Sequence, residues 1–185
     1  MELGDTDSPS PISLRYFNCA VRSFEAALKL KRDDKECLVM LGNVHMSLRN
    51  FKHSIFYYHR ALEIENSCQM TLYNIAHVHH SMARDHEITD PKYVLPNMLK
   101  AELYFKEAIR LNHHYFDAHF NLGICYQDMA LEYFTQQNVM KHDECLRNAL
   151  ESYKTVVIHG DGETKQDAIE AIQQIEKELG LSLKT

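Results

Sequence analysis

A triplet of small, aromatic and small residues recurs four times along this chain of 185 residues. The first triplet returns after 34 residues, and the later ones follow after 47 and 48. The four triplets are Ala20, Phe24 and Ala27; Ser54, Tyr58 and Ala61; Ala101, Phe105 and Ala108; and Ala149, Tyr153 and Val156. Residues spaced by four and then three positions share one face of a helix. A repeat of this length predicts stacked helical units, each burying its apolar face on its neighbours.

A second pattern alternates with the triplets and predicts another helix in each repeat. It consists of Leu38, Leu41 and Gly42 in the second repeat, Leu72, Ile75 and Ala76 in the third, and His119, Leu122 and Gly123 in the fourth. From Pro11 onward, apolar residues return every three or four positions between a few proline and glycine breakers. We therefore predict an all-α fold with two helices per repeat.

These two patterns resemble the signature of the tetratricopeptide repeat family, with Leu-Gly on the first helix and small, aromatic and small residues on the second. The resemblance spans roughly residues 14–158. It implies a right-handed α–α superhelix of stacked helix-turn-helix repeats, closed by a C-terminal capping helix. Small residues such as Gly42 and Gly123 would let paired helices approach closely. The aromatic residues of the triplets would fill the space between successive repeats.

The expected organisation is a flexible acidic tail over residues 1–12, a repeat array over 13–159 and a capping helix over 162–180. The array begins with only the second helix of a first repeat, at 13–32, which leaves that repeat open. The three further repeats cover about 35–68, 69–115 and 116–159.

The last two repeats carry insertions, at 82–96 and 128–141. The first insertion predicts a loop from Asp85 to Pro96, because it contains two prolines. The second has neither proline nor glycine, so it predicts two elongated helices that turn near Asn138. Apolar surface on such a projection would need a partner or a self-contact.

Composition excludes several function classes. The net charge of −6 and the lack of a basic cluster argue against a nucleic-acid surface, since phosphate binding depends on cationic side chains. No apolar run reaches the roughly 18 residues of a membrane helix, and the acidic start does not resemble a secretory signal. Five cysteines without a C-x-x-C pair predict mostly buried free thiols. We therefore expect a cytoplasmic, reducing location.

The resemblance also implies a binding surface. In the family, the first helices line a concave groove, and ligand contacts fall at the same few positions of each repeat. The predicted partner-binding residues are Val39, Met40, Asn43 and Met46 in the second repeat, Tyr73, Asn74, His77 and His80 in the third, and Phe120, Asn121, Ile124 and Gln127 in the fourth.

Asparagine at one repeat position, in Asn74 and Asn121, suggests how a ligand is held. A side-chain amide offers both a donor and an acceptor, which suits an extended peptide backbone. The alternative is that these asparagines cap or pack locally. The family's carboxylate clamp for chaperone C-termini is not expected. Asn43 and Asn74 match it, but Val39, Asp117 and Asn121 stand where it needs cations.

Neither catalysis nor metal binding is expected. His77 and His80 share a helix face, yet no third ligand follows at a recognisable spacing. No nucleophile elbow, phosphate-binding glycine loop or H-E-x-x-H motif occurs. We therefore predict no enzyme, no cofactor and no metal.

The leading hypothesis is a scaffold or adaptor that holds a protein or peptide segment in the groove, mainly through Tyr73, Asn74, Phe120 and Asn121. The alternative is a structural subunit that stacks end to end with other repeat subunits through its open first repeat. A co-chaperone without the standard clamp is a minor alternative. Neither nucleic acid nor membrane insertion is expected.

Overall fold

The computed structural model describes residues 10–85 and 90–180, and its helices follow the two sequence patterns. They are α1 (Pro11–Leu30), α2 (Lys35–Ser47), α3 (Phe51–Ile64), α4 (Gln69–Arg84), α5 (Val94–Leu111), α6 (Phe116–Thr135), α7 (Val139–His159) and α8 (Gly162–Glu178). A 3-10 turn, Pro91–Tyr93, precedes α5. These two ranges contain no strand, and the all-α prediction is confirmed.

The chain divides into two compact units, Met1–Val78 (unit 1) and His79–Thr185 (unit 2), with the boundary inside α4. In unit 1, α2 packs against both α1 and α3. In unit 2, α6 packs against α5 and α7, and α8 covers α7. Each triplet-bearing helix from α3 onward therefore belongs to a unit with its own packed core.

The first helix begins where the sequence offers a cap. The Ser10 hydroxyl accepts a hydrogen bond from the Ser13 amide at 3.2 Å, and Pro11 occupies the first helical position, where no amide donor is needed. Residues 1–9 of the predicted tail lie outside the described residues. Pro11 and Ile12, its last two residues, are helical.

Two glycines bring the paired helices of the second and fourth repeats close together. A Cβ atom on Gly42 would lie 2.4 Å from Tyr58 Cε1, and one on Gly123 would lie 2.6 Å from Tyr153 Cε1. The predicted close approach is therefore present. In these two repeats the tyrosine ring occupies the space left by the glycine of its own repeat.

The second insertion forms elongated helices, as predicted. Helices α6 and α7 have 20 and 21 residues, whereas α2 and α3 have 13 and 14, so each gains about two turns. Asn138 caps α7 by accepting from the Lys141 amide. Leu131, Phe134 and Met140 are exposed on this extension.

The loop in the first insertion is shorter than predicted, because its C-terminal part is helical. Residues 86–89 lie outside the described residues, but the 3-10 turn begins at Pro91 and α5 begins at Val94, inside the expected loop. Pro96 therefore sits in the first turn of α5. Proline is tolerated there because the first amides of a helix have no carbonyl partner within it.

Helix α8 caps unit 2 as predicted. Ala168 and Ile175 are fully buried, and the helix stops before Gly180, whose φ of 67° suits a residue without a side chain. Among the described helices, none combines the length and apolar character that crossing a bilayer requires.

Replacing Gly42 with alanine is expected to lower the free energy of unfolding by about 1–3 kcal/mol, because the added methyl group overlaps the buried Tyr58 ring. The sign is informative, since glycine-to-alanine changes inside helices otherwise stabilise by about 0.5–1 kcal/mol. Urea unfolding followed by circular dichroism measures the effect. Ser47→Ala, on the exposed face of α2, is the control. A Gly42→Ala variant as stable as wild type would contradict the packing described.

Candidate functional site

An open depression lies on unit 1, where α2, α3 and the first part of α4 meet; we call it the Asn43 depression. It has a volume of about 250 Å³ and is lined by Asn43, Met46, Tyr58, Tyr73, Asn74 and His77. Five of these six residues are predicted partner-binding positions. The structure thus brings together side chains that are up to 34 positions apart in the sequence.

Tyr58 fixes the floor of the Asn43 depression. Its ring lies on Gly42, and its hydroxyl donates a hydrogen bond to Asn43 Oδ1 at 2.6 Å. The Ser54 hydroxyl, one turn earlier on α3, donates to the Gly42 carbonyl oxygen at 2.8 Å. Burial raises the pKa of Tyr58 to about 12, so the phenol keeps its proton and remains a donor at neutral pH.

Asn74 completes the polar floor from α4. Its Nδ2 group donates to the same Asn43 Oδ1 at 3.4 Å, so this oxygen accepts from both Tyr58 and Asn74. That arrangement determines which way the two amides are turned. Within the described residues, Asn43 Nδ2 and Asn74 Oδ1 make no further hydrogen bond. An unused donor therefore lies beside an unused acceptor.

The lining of the Asn43 depression carries no permanent charge. It includes no lysine, arginine or carboxylate, and its remaining surface comes from Met46, Tyr73 and His77. The rings of Tyr73 and His77 are 6.3 Å apart. Such a surface suits neutral polar and apolar groups better than an isolated charge.

Two of the predicted partner-binding residues on α2, Val39 and Met40, do not line this depression. Val39 is 4% exposed and belongs to the core, so its side chain offers no contact surface. Met40 is 45% exposed but does not line the depression. Tyr58 is a lining residue that the repeat positions do not predict, although its hydroxyl distinguishes it from Phe24 and Phe105 at the same triplet position.

The fourth repeat uses the equivalent residues for internal contacts. Ile124 stands at the position of Asn43, so the Tyr153 hydroxyl donates instead to Gln127 Oε1 at 2.5 Å, one turn further along α6. Phe120 packs with its edge toward the Tyr153 ring, at 5.5 Å between centroids. Asn121 Nδ2 donates to the Asp117 carbonyl oxygen of its own helix at 2.9 Å. The Asn121 Nδ2 group thus makes a local contact within α6.

Comparison with known proteins agrees with this repeat geometry. The sequence model of the tetratricopeptide repeat matches residues 36–68, which hold α2, α3 and the Gly42–Tyr58 contact. The solved structure of MamA superposes with a TM-score of 0.53 at 16% identity, covering 100% of this chain and 99% of MamA. Residues 36–68 thus match a tetratricopeptide repeat, and the chain has the fold of tetratricopeptide repeat proteins.

Other tetratricopeptide repeat structures are similar in fold. TTC0263 from Thermus thermophilus has a TM-score of 0.55 at 16% identity, covering 88% of this chain and 93% of that one. The first repeat domain of Spaghetti, bound to an HSP90 peptide, has a TM-score of 0.54 at 17% identity, covering 79% and 93%. No curated protein is similar to this chain in sequence. At these identities the structures establish the fold.

His80 makes a buried contact within unit 2. It is 5% exposed, and its Nε2 atom lies 2.7 Å from Asp128 Oδ2 within unit 2. Arg84 approaches the same carboxylate at 3.7 Å. His80 is therefore not available at the surface as a groove residue. Across residues 10–85 and 90–180, no three histidine, cysteine or carboxylate side chains converge as metal ligands would.

The cysteines divide by burial. Cys125 and Cys145 are buried, as predicted, and burial raises the pKa of both thiols, that of Cys145 to about 11. Cys37 and Cys68 are half-buried, and Cys19 is exposed, which differs from the expected burial. The two buried thiols remain protonated at neutral pH and are poor nucleophiles.

The Tyr58→Phe variant is expected to lose less free energy of unfolding than the wild type when the pH is raised from about 10 to about 12. An unfolded tyrosine loses its proton near pH 10, whereas folded Tyr58 does so near pH 12. The stabilising contribution of Tyr58 is thus complete below about pH 10 and is lost as the pH rises toward about 12. Phenylalanine cannot ionise, so the variant loses less free energy of unfolding in that interval.

Urea unfolding at a series of pH values measures this difference. At pH 7 the variant should be about 1 kcal/mol less stable, because Asn43 loses its hydroxyl donor. Measurements between about pH 6 and 8, where neither form of Tyr58 ionises, provide the control and should give parallel curves. Equal alkaline losses in both proteins would contradict the burial assigned to this phenol.

Proposed function

We propose that this chain is a non-catalytic binding scaffold whose Asn43 depression holds an extended, uncharged segment of a partner polypeptide. The observation that carries the proposal is the pair of amides on the floor, which places a donor of Asn43 beside an acceptor of Asn74. Both amides are oriented by the oxygen of Asn43, which accepts from Tyr58 and Asn74.

The chemistry of an extended backbone fits this pair. In an extended chain, the N–H and C=O groups of one residue point to the same side. One residue of the partner could therefore donate to Asn74 Oδ1 and accept from Asn43 Nδ2. Because Tyr58 already holds the Asn43 amide in place, binding would cost little additional side-chain entropy.

The size and lining favour a polypeptide segment over a small molecule. The volume of about 250 Å³ lies below the 300–1,000 Å³ typical of small-molecule sites, and the depression is open. Met46 and Tyr73 offer apolar contact beside the amides. Backbone recognition with modest side-chain selectivity is the expected outcome.

The tetratricopeptide repeat fold supports this proposal. The Spaghetti domain, similar to this chain in fold, was solved with an HSP90 peptide bound. The present chain would hold its partner by a different chemistry, since the lining of the Asn43 depression contains no cation. The proposed binding site includes only residues of unit 1, because Phe120, Asn121 and Gln127 of unit 2 make internal contacts.

Asn74→Ala is expected to weaken peptide binding at least about tenfold, since it removes the available acceptor of the amide pair. Ligands would be selected from a displayed library of random peptides, and affinity measured by fluorescence anisotropy. Asn121→Ala is the matched control, because it occupies the same repeat position but donates within its own helix. Equal loss in both variants, or loss in neither, would contradict the proposed site.

The acidic HSP90 peptide SRMEEVD, present in the Spaghetti structure, is expected not to bind this chain. A carboxylate held without a cation loses its hydration uncompensated, and Asp117 stands where the clamp needs positive charge. Isothermal titration calorimetry with the Spaghetti domain as positive control tests this expectation. Micromolar binding by the present chain would favour the co-chaperone alternative instead.

A structural role in an assembly is the second candidate function. It is favoured by α1, a helix of 20 residues of which none is fully buried in unit 1. That surface is separate from the Asn43 depression, so both functions are compatible.

A further inference from the structure

The first helix lacks the cover that the other triplet-bearing helices have. The triplets on α3, α5 and α7 are at most 2% exposed. On α1, Ala20, Phe24 and Ala27 are only half-buried, although the residue types are the same. Among the described helices, α1 packs mainly on α2, so its other side is open within residues 10–85.

A continuous stripe of uncharged side chains runs along that open side. Its members repeat at spacings of four and three, which places them on one face of the helix. They are Ile12, Tyr16, Cys19, Ser23, Ala26 and Leu30, and all six are exposed, with Ile12 at 68%, Tyr16 at 72% and Leu30 at 93%. We call this set the α1 stripe. It extends over about 27 Å of helix.

We propose that the α1 stripe pairs with the same stripe of a second copy of this chain, with the two helices antiparallel. In this register, Ile12 of one copy meets Leu30 of the other, Tyr16 meets Ala26, and Cys19 meets Ser23. Each large side chain other than the terminal pair faces a small one. The small residues at the centre allow the two helix axes to approach closely.

The polar member of the stripe does not oppose this burial. The Ser23 hydroxyl donates to the Cys19 carbonyl oxygen within its own helix at 3.0 Å, so covering it leaves no donor unsatisfied. A parallel pairing would instead place the two Tyr16 rings side by side and leave the centre underpacked. It would also align the two helix dipoles, which is unfavourable.

The opposite end of the chain does not provide an alternative surface for α1. The outward residues of α8 are polar and exposed: Glu163, Gln166, Asp167, Glu170, Gln173, Gln174 and Lys177. Packing the α1 stripe onto them would bury charges without partners. A head-to-tail chain is therefore disfavoured, and a closed pair with twofold symmetry is favoured.

One edge of the α1 stripe carries Arg15, Arg22 and Lys29, and twofold symmetry brings this edge next to its own copy. Like charges there repel, and salt screens that repulsion. Apolar contact along the stripe is not weakened by salt in the same way. Pairing is therefore expected to strengthen about severalfold between roughly 0.05 and 0.5 M NaCl, the opposite of an association driven by opposite charges.

Sedimentation equilibrium of the full chain at about 10–100 µM, a range in which moderate dimers form, tests the proposal. The wild type should show twice the monomer mass, and Tyr16→Glu should show the monomer mass. Asn18→Glu, a charge of the same sign on the polar face of α1, is the matched control and should remain paired. Circular dichroism checks that both variants stay folded, as expected for changes at exposed positions.

Cross-linking distinguishes the register. In Ile12→Cys/Leu30→Cys, a short bismaleimide should join position 12 of one copy to position 30 of the other, since these positions lie about 27 Å apart along the axis in a parallel pair. A monomeric wild type over this range, a Tyr16→Glu variant that still pairs, or a product joining the two copies of the Ile12→Cys variant at position 12 would each overturn the antiparallel pair. If the Tyr16→Glu variant still pairs, the contact is expected instead at the exposed apolar residues of the α6–α7 extension.

Discussion

The contact of a glycine with a buried tyrosine ring organises both the core and the candidate site of this protein. On α2, the missing side chain of Gly42 leaves room for the ring of Tyr58, so the two helices of the repeat approach closely. The same contact aims the phenol hydroxyl at Asn43. Packing and site geometry are thus one feature, and a methyl group at Gly42 would disturb both.

The fourth repeat shows how one substitution changes the use of the same framework. Gly123 and Tyr153 reproduce the packing contact, but isoleucine replaces the asparagine that follows the glycine. The phenol then turns to Gln127, and no amide pair forms around it. The fourth repeat therefore keeps the packing contact without the pair of amides, because packing and polar positions fall on different residues.

The open side of α1 reflects the one-dimensional logic of a stacked array. Each repeat buries its faces only on its immediate neighbours, so a helix with a neighbour on one side keeps an apolar face on the other. In unit 2, α8 covers α7 and turns a polar face outward. The α1 stripe, with small residues at its centre and large ones outside, offers a surface that complements itself.

Much of this protein was predictable from local patterns. The triplets, the Leu-Gly pairs, the Ser10–Pro11 helix start and the long helices turning at Asn138 all depend on neighbours within a turn or two, so the sequence alone determined them. The site depended on more distant contacts. Helix packing decides whether Asn74 contacts Asn43 and whether Val39 is buried. It also decides whether Asp128 contacts His80. Sequence spacing determines which residues share one face of a helix, whereas only the tertiary structure determines which residues that face contacts.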